Sequence, residues 1–172
     1  MSEQKPTVDD AIRNSGLSEN LQAAHIEFCR FLHDNGFLIE PEGHTADNVS
    51  GWIIRYGTEC VGHTNYAHVG VWIDVCDFGD STAADEVLKE FTWAHVRVCE
   101  HHSSGGKQCG CGRQPGYGQT IFGKRYENLC FALLEFMNPD VKALEEIQKL
   151  LLLLKQNSSS HTPSLPPSPP AG

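Results

Sequence analysis

The stretch WIIRYGTECVGHTNYAHVGVWIDVC, residues 52–76, decides the fold class. Three β-rich runs, 52–56, 59–65 and 69–76, are joined by Gly57-Thr58 and by Tyr66-Ala67-His68. Links this short connect neighbouring antiparallel strands, because a parallel crossover needs a dozen residues or more. In the third run Val69, Val71, Ile73 and Val75 share one face, and Gly70, Trp72, Asp74 and Cys76 share the other. One buried face and one more polar face is the pattern of an antiparallel sheet.

Outward from this meander the period changes from two to about 3.6. Leu21, Ala24, His25, Phe28, Phe31 and Leu32 predict a helix opened by Ser18 and stopped at Asn35-Gly36. Before it, residues 1–17 read as a mobile segment with a short helix over 8–13 capped by Thr7. Phe37-Leu38-Ile39 forms an extended piece that ends at Pro41. On the other side, Thr82-Ala83-Ala84-Asp85 resembles a capping box, followed by an inner stripe of Val87, Leu88, Phe91, Ala94, His95 and Val98. Residues 124–137 have helical spacing through Tyr126, Leu129, Cys130, Leu133, Leu134 and Met137, with a strand as the alternative for 130–136. Asn138-Pro139-Asp140 restarts a helix, with Asn138 as cap and Pro139 at the first position, and Val141, Leu144, Ile147, Leu151 and Leu154 face inward. The expected fold is α+β. It has a three-stranded or slightly larger antiparallel sheet covered by helices, as one domain over residues 18–155. The segment 156–172, with five of the nine prolines, is a disordered Ser/Pro-rich tail.

The chain has 172 residues, 13 Lys+Arg against 22 Asp+Glu and a net charge of −9. An acidic balance argues against a general nucleic-acid surface, which needs clustered cations. The apolar run at 150–154 is far short of the roughly 20 residues of a membrane span. The first twenty residues lack the apolar block of a secretory signal. A cytoplasmic protein is expected, whose 7 Cys are thiols or metal ligands rather than disulfides.

The densest chemistry lies at 99–112, CEHHSSGGKQCGCG. Cys99, Cys109 and Cys111 with His101 or His102 match the donor set of a tetrahedral zinc site, and Cys130 is a further candidate for the fourth ligand. Seven of the 16 glycines fall between Gly105 and Gly123, so the loop lacks a core of its own, and a structural zinc would supply one. The alternatives are unligated thiols, or a redox pair at Cys109 and Cys111 activated by Lys107 and Arg113. Five basic residues against Glu100 alone give 97–125 a charge of +4. Lys107, Arg113, Lys124 and Arg125 therefore form a candidate surface for a small anionic ligand or an acidic partner. A helix start at Gly123-Lys124-Arg125 would add free N–H groups. The run 118–125 departs from the nucleotide-binding loop, because Arg125 stands where a hydroxyl should hold magnesium. A second place for a metal or small ligand is the turn carrying His63, Tyr66 and His68, between Trp52 and Trp72. It requires a carboxylate such as Asp74 on the same side.

Cys109-Gly-Cys111-Gly, Pro115-Gly116, Thr120-Ile-Phe-Gly123-Lys124, Asn128-Leu-Cys130 and Asn138-Pro139-Asp140 resemble the C-terminal half of a group of small bacterial proteins of unknown function. In that group a further thiol precedes the Cys-Gly-Cys, where His101-His102 and a Ser/Gly insertion stand here. The resemblance implies a site and no activity. The expected function is a zinc-stabilised binding module, with a thiol- or metal-dependent enzyme built on the 99–111 loop as the alternative.

Overall fold

The computed structural model describes residues 7–42, 51–74, 78, 82, 84–100 and 117–160. Among these, the order is α1 (Val8–Arg13), α2 (Glu19–Asp34), β1 (Phe37–Glu42), β2 (Gly51–Tyr56), β3 (Glu59–Asn65), β4 (Gly70–Ile73), α3 (Glu86–Ala94), β5 (Val96–Val98), β6 (Gln119–Ile121), β7 (Lys124–Tyr126), β8 (Leu129–Met137) and α4 (Val141–Ser160). The fold is α+β. Its main sheet is antiparallel and six-stranded, in the order β1-β2-β3-β4-β8-β5, and β6-β7 form a separate hairpin.

The meander β2-β3-β4 is thus the middle of a larger sheet rather than the whole of a three-stranded one. Three further strands, β1, β8 and β5, account for the difference. Phe37–Glu42 pairs with Gly51–Tyr56 along its full length, and Pro41 does not end it, because at an edge its missing N–H faces no partner. Residues 124–137 form β7 and β8 instead of a helix. Leu133 and Leu134 are adjacent and both buried, as are Leu129 and Cys130, so the strand has no alternation to distinguish it from a helical stripe. The turn between β6 and β7 carries positive φ at Phe122 (47°) and Gly123 (80°), the backbone of a two-residue hairpin.

Helices α2, α3 and α4 supply Phe28, Leu32, Leu88, Leu144, Ile147, Leu150, Leu151 and Leu154 to one core, packed on Ile54, Val71, Ile73, Leu134 and Phe136 of the sheet. All lie on one face of the sheet, which leaves the face bearing Glu40, Ile53, His63, Trp72 and Glu135 without a helix among the described residues. These five are cross-strand partners in one row. Trp72 Nε1 donates to Glu135 (2.9 Å), and Arg97 pairs with the same carboxylate (3.2 Å).

The N-caps of α1 and α2 stand where the sequence places them, at Thr7 and Ser18, and those of α3 and α4 do not. Thr7 and Asp10 form a reciprocal capping box on α1, and Ile12 from that helix is fully buried beside Cys29, Trp52 and Tyr66. The expected box opened by Thr82 is not the start of α3: Asp85, its fourth residue, is itself the cap and accepts from the Leu88 N–H. The inner side of α3 holds Leu88 and Thr92, whereas Val87 is exposed and Val98 has passed into β5. For α4 the cap is Asp140, which accepts from the Ala143 N–H at 2.8 Å. Asn138 instead takes a positive φ of 48° and donates its N–H to the Val69 carbonyl. The helix runs on to Ser160, beyond the expected boundary at 155.

Candidate metal centre

In a regular strand residues three apart point to opposite faces. Cys60 and His63 do not, because β3 carries a bulge. Arg55 pairs with Cys60 and Ile54 with Gly62, so Val61 is an extra residue between them. Val61 turns into the core, 2% exposed, and the phase of the strand resets. Cys60 and His63 consequently share the face of Arg55 and Ile53. The bulge also fixes the third member, since the Val61 carbonyl accepts from the Asp74 N–H (3.0 Å) just beyond β4. Gly62 permits the close approach of β4, because a Cβ there would lie 2.2 Å from the Trp72 carbonyl oxygen.

The three side chains converge. His63 Nε2 is 2.7 Å from Asp74 Oδ2, and Cys60 Sγ is 3.7 Å from both His63 Nε2 and Asp74 Oδ2. These donor atoms lie within 4.8 Å of one another, and the group can hold a metal ion. Asp74 is buried, and its second oxygen, Oδ1, has no hydrogen-bond partner among the described residues. A buried carboxylate oxygen left unpaired is costly unless a cation or water meets it. Glu42 Oε2 stands 3.9 Å from the other ring nitrogen, His63 Nδ1.

Without a metal the surroundings favour the protonated forms of His63 and Cys60. The hydrogen bond to Asp74 raises the pKa of His63, against an opposing effect of burial. Burial, followed by the Asp74 charge, raises that of the Cys60 thiol. A metal must therefore displace the thiol proton and free Nε2, as ligand binding to a cation requires. The geometry is close to what it needs. Bonds of about 2.0–2.3 Å at a tetrahedral angle place donors about 3.3–3.7 Å apart. The two sulfur separations already fall there, and only the hydrogen-bonded His63–Asp74 contact has to open.

The expected pocket at the β3–β4 turn is brought together in part. His63 and Asp74 meet as that reading requires. His68 is exposed in the turn itself, where the Asn65 side chain accepts from its N–H. Tyr66 is buried on the opposite side, against His25 and Trp52. Cys60 is the residue the sequence reading missed. The available signal was Gly62, an isolated glycine within a strand pattern, which points to a bulge.

Of the loop ligands, Cys99 and Cys130 are both buried and line one cavity of about 560 Å³ together with Arg97, Glu100 and Glu135. The Cys99 N–H donates to the Asn128 carbonyl (2.7 Å). His101, His102, Cys109 and Cys111 lie outside the described residues, as do Lys107 and Arg113. Lys124 and Arg125 stand on the β6–β7 hairpin, not at a helix start. The Lys124 ammonium lies over the rings of Trp93 (5.5 Å) and Tyr126 (5.3 Å), and Arg125 pairs with Glu127 (2.8 Å). No described helix is long and apolar enough to cross a membrane. Compared with known proteins, the chain matches no family model, no curated protein and no solved structure.

Proposed function

We propose that the protein is a zinc-binding domain whose ion is held on the open face of the sheet by Cys60, His63 and Asp74. One observation carries this reading: a thiol, an imidazole and a buried carboxylate converge within 4.8 Å at a bulge that brings them to one side. Sulfur, nitrogen and oxygen donors together suit zinc better than magnesium or calcium, which take oxygen. The ion would join β3 to the end of β4 and displace the Cys60 thiol proton, so its binding free energy adds to the stability of the sheet.

A zinc site in the cysteine-rich loop is a second reading, favoured by the shared cavity of Cys99 and Cys130. It is independent of the first, because Cys60, His63 and Asp74 do not line that cavity. The anionic-ligand surface is a separate reading: Lys107 and Arg113 lie outside the described residues, Lys124 lies over two rings and Arg125 pairs with Glu127.

Cobalt substitution tests the first reading. Cobalt(II) added to the metal-free protein should give visible d–d bands and a thiolate-to-metal charge-transfer band, and Cys60→Ser should remove the latter. A charge-transfer band that survives in Cys60→Ser and is lost in a Cys99→Ser, Cys130→Ser protein would transfer the metal to the loop.

A further inference from the structure

We infer that Glu42 is the positioning residue of this metal centre, reaching across β2 through the gap at Gly51 to hold the outer nitrogen of His63. The inference rests on the zinc reading above.

The two nitrogens of an imidazole point away from each other, so a group at one cannot ligate an ion bound at the other. His63 presents Nε2 to Cys60 and Asp74 and Nδ1 to Glu42. Glu42 is therefore placed behind the ring, outside the coordination sphere. Metal-binding histidines commonly donate their second N–H to a carboxylate, which fixes the tautomer and raises the basicity of the ligating nitrogen. At 3.9 Å the contact is an ion-pair approach, and it closes to a hydrogen bond when the ion fixes the ring.

The route to His63 depends on residue 51. Glu42 and Gly51 are cross-strand partners at the end of β1 and β2, and Ile53, two residues on, pairs with His63. A Cβ on Gly51 would lie 3.3 Å from Glu42 Oε2 and 2.9 Å from the Thr64 carbonyl. Any side chain here would push the carboxylate off its path and strain β3. Gly51 is not needed for a positive φ, so the space above it is its role. Glu40, by contrast, is the row partner of Ile53 and is occupied by Arg55 Nε at 2.8 Å. That division leaves Glu42 to His63.

The test measures zinc affinity by chelator competition in the wild type, Glu42→Gln and Glu42→Ala, with the ¹⁵N–¹H signal of His63 Nδ1 recorded in each zinc-loaded protein. Glu42 is half-exposed on an edge strand, so the metal-free variants should melt as the wild type does. The expected result is a loss of affinity of about 10–100-fold in Glu42→Ala, with the Nδ1 proton signal shifted upfield and broadened by exchange. Glu42→Gln, a neutral acceptor, should fall between. Unchanged affinity and an unchanged Nδ1 signal in Glu42→Ala would overturn the inference while leaving the zinc site standing. A wild type that binds no zinc at all would overturn the site itself, and with it this role for Glu42.

Discussion

Val61 accepts a hydrogen bond from the backbone N–H of Asp74 at 3.0 Å, and this contact joins the β3 bulge to the one buried member of the candidate metal group. The extra residue that rotates Cys60 onto the face of His63 thus also sets the depth of the carboxylate between them. Side-chain chemistry at the site is inherited from a backbone irregularity. Substitutions that regularise the strand should therefore be as damaging to metal binding as removal of a ligand.

Gly62 is the sharpest probe of that dependence. Gly62→Ala places a methyl group 2.2 Å from the Trp72 carbonyl, so the β3–β4 ladder must shift. Overpacking of this kind costs about 1–3 kcal/mol. Urea unfolding should show that loss, and zinc competition should show weakened binding although all three ligands are intact. A Gly62→Ala protein with wild-type affinity would mean the bulge is dispensable.

Zinc should stabilise the domain. A ligand that binds only the folded state contributes about 4 kcal/mol at a free concentration near 1,000 times its Kd. Thermal melts of the wild type should rise with free zinc, and those of His63→Ala and Asp74→Asn should not. Equal shifts in all three proteins would place the stabilising ion elsewhere.

His25 gives the pH dependence. It is fully buried on α2 against the Tyr66 ring. Burial lowers its pKa below 6.5, against a smaller opposing pull from the Pro139 backbone. The unfolded chain therefore takes up the proton first as pH falls. The stability tied to neutral His25 is complete above pH 6.5 and is lost from there down to its depressed pKa, at up to about 1.4 kcal/mol per pH unit. His63 has the opposite sign in the metal-free protein: its raised pKa stabilises below pH 6.5, and this is lost as pH rises through the folded value. Comparing wild type with His25→Leu by urea unfolding between pH 7.5 and pH 5.5 cancels the His63 contribution. The wild type should lose stability relative to the variant on acidification, and a pH-independent difference would refute the assignment.

Phe136 tests the core. It is 1% exposed in β8 and packs against both Phe91 (5.3 Å, stacked) and His95 (4.7 Å) of the α3 region. Phe136→Ala should cost about 3–5 kcal/mol by denaturant unfolding. A cost near zero would place this residue outside the packed interior.

The meander and the helices at 8–13, 19–34 and 86–94 were legible in the sequence because each carries a local signal: a two-residue turn, a cap or an amphipathic stripe. Strand β8 was not, because it is buried between β4 and β5 and its apolar run has no period of its own. The metal group was half legible. His63 and Asp74 follow from alternation around one turn, whereas Cys60 lies on the wrong face until Val61 is counted as a bulge, a property of the pairing with β2 that β3 alone does not encode. The cysteine-rich segment drew attention through composition, and composition carries no geometry.

The most direct measurement is the zinc content of the purified full-length protein beside that of a Cys60→Ser, His63→Ala double variant. The account predicts that the wild type carries about one equivalent more zinc per chain than the variant, as expected for one ion held by these ligands. Equal zinc contents in the two proteins would contradict it.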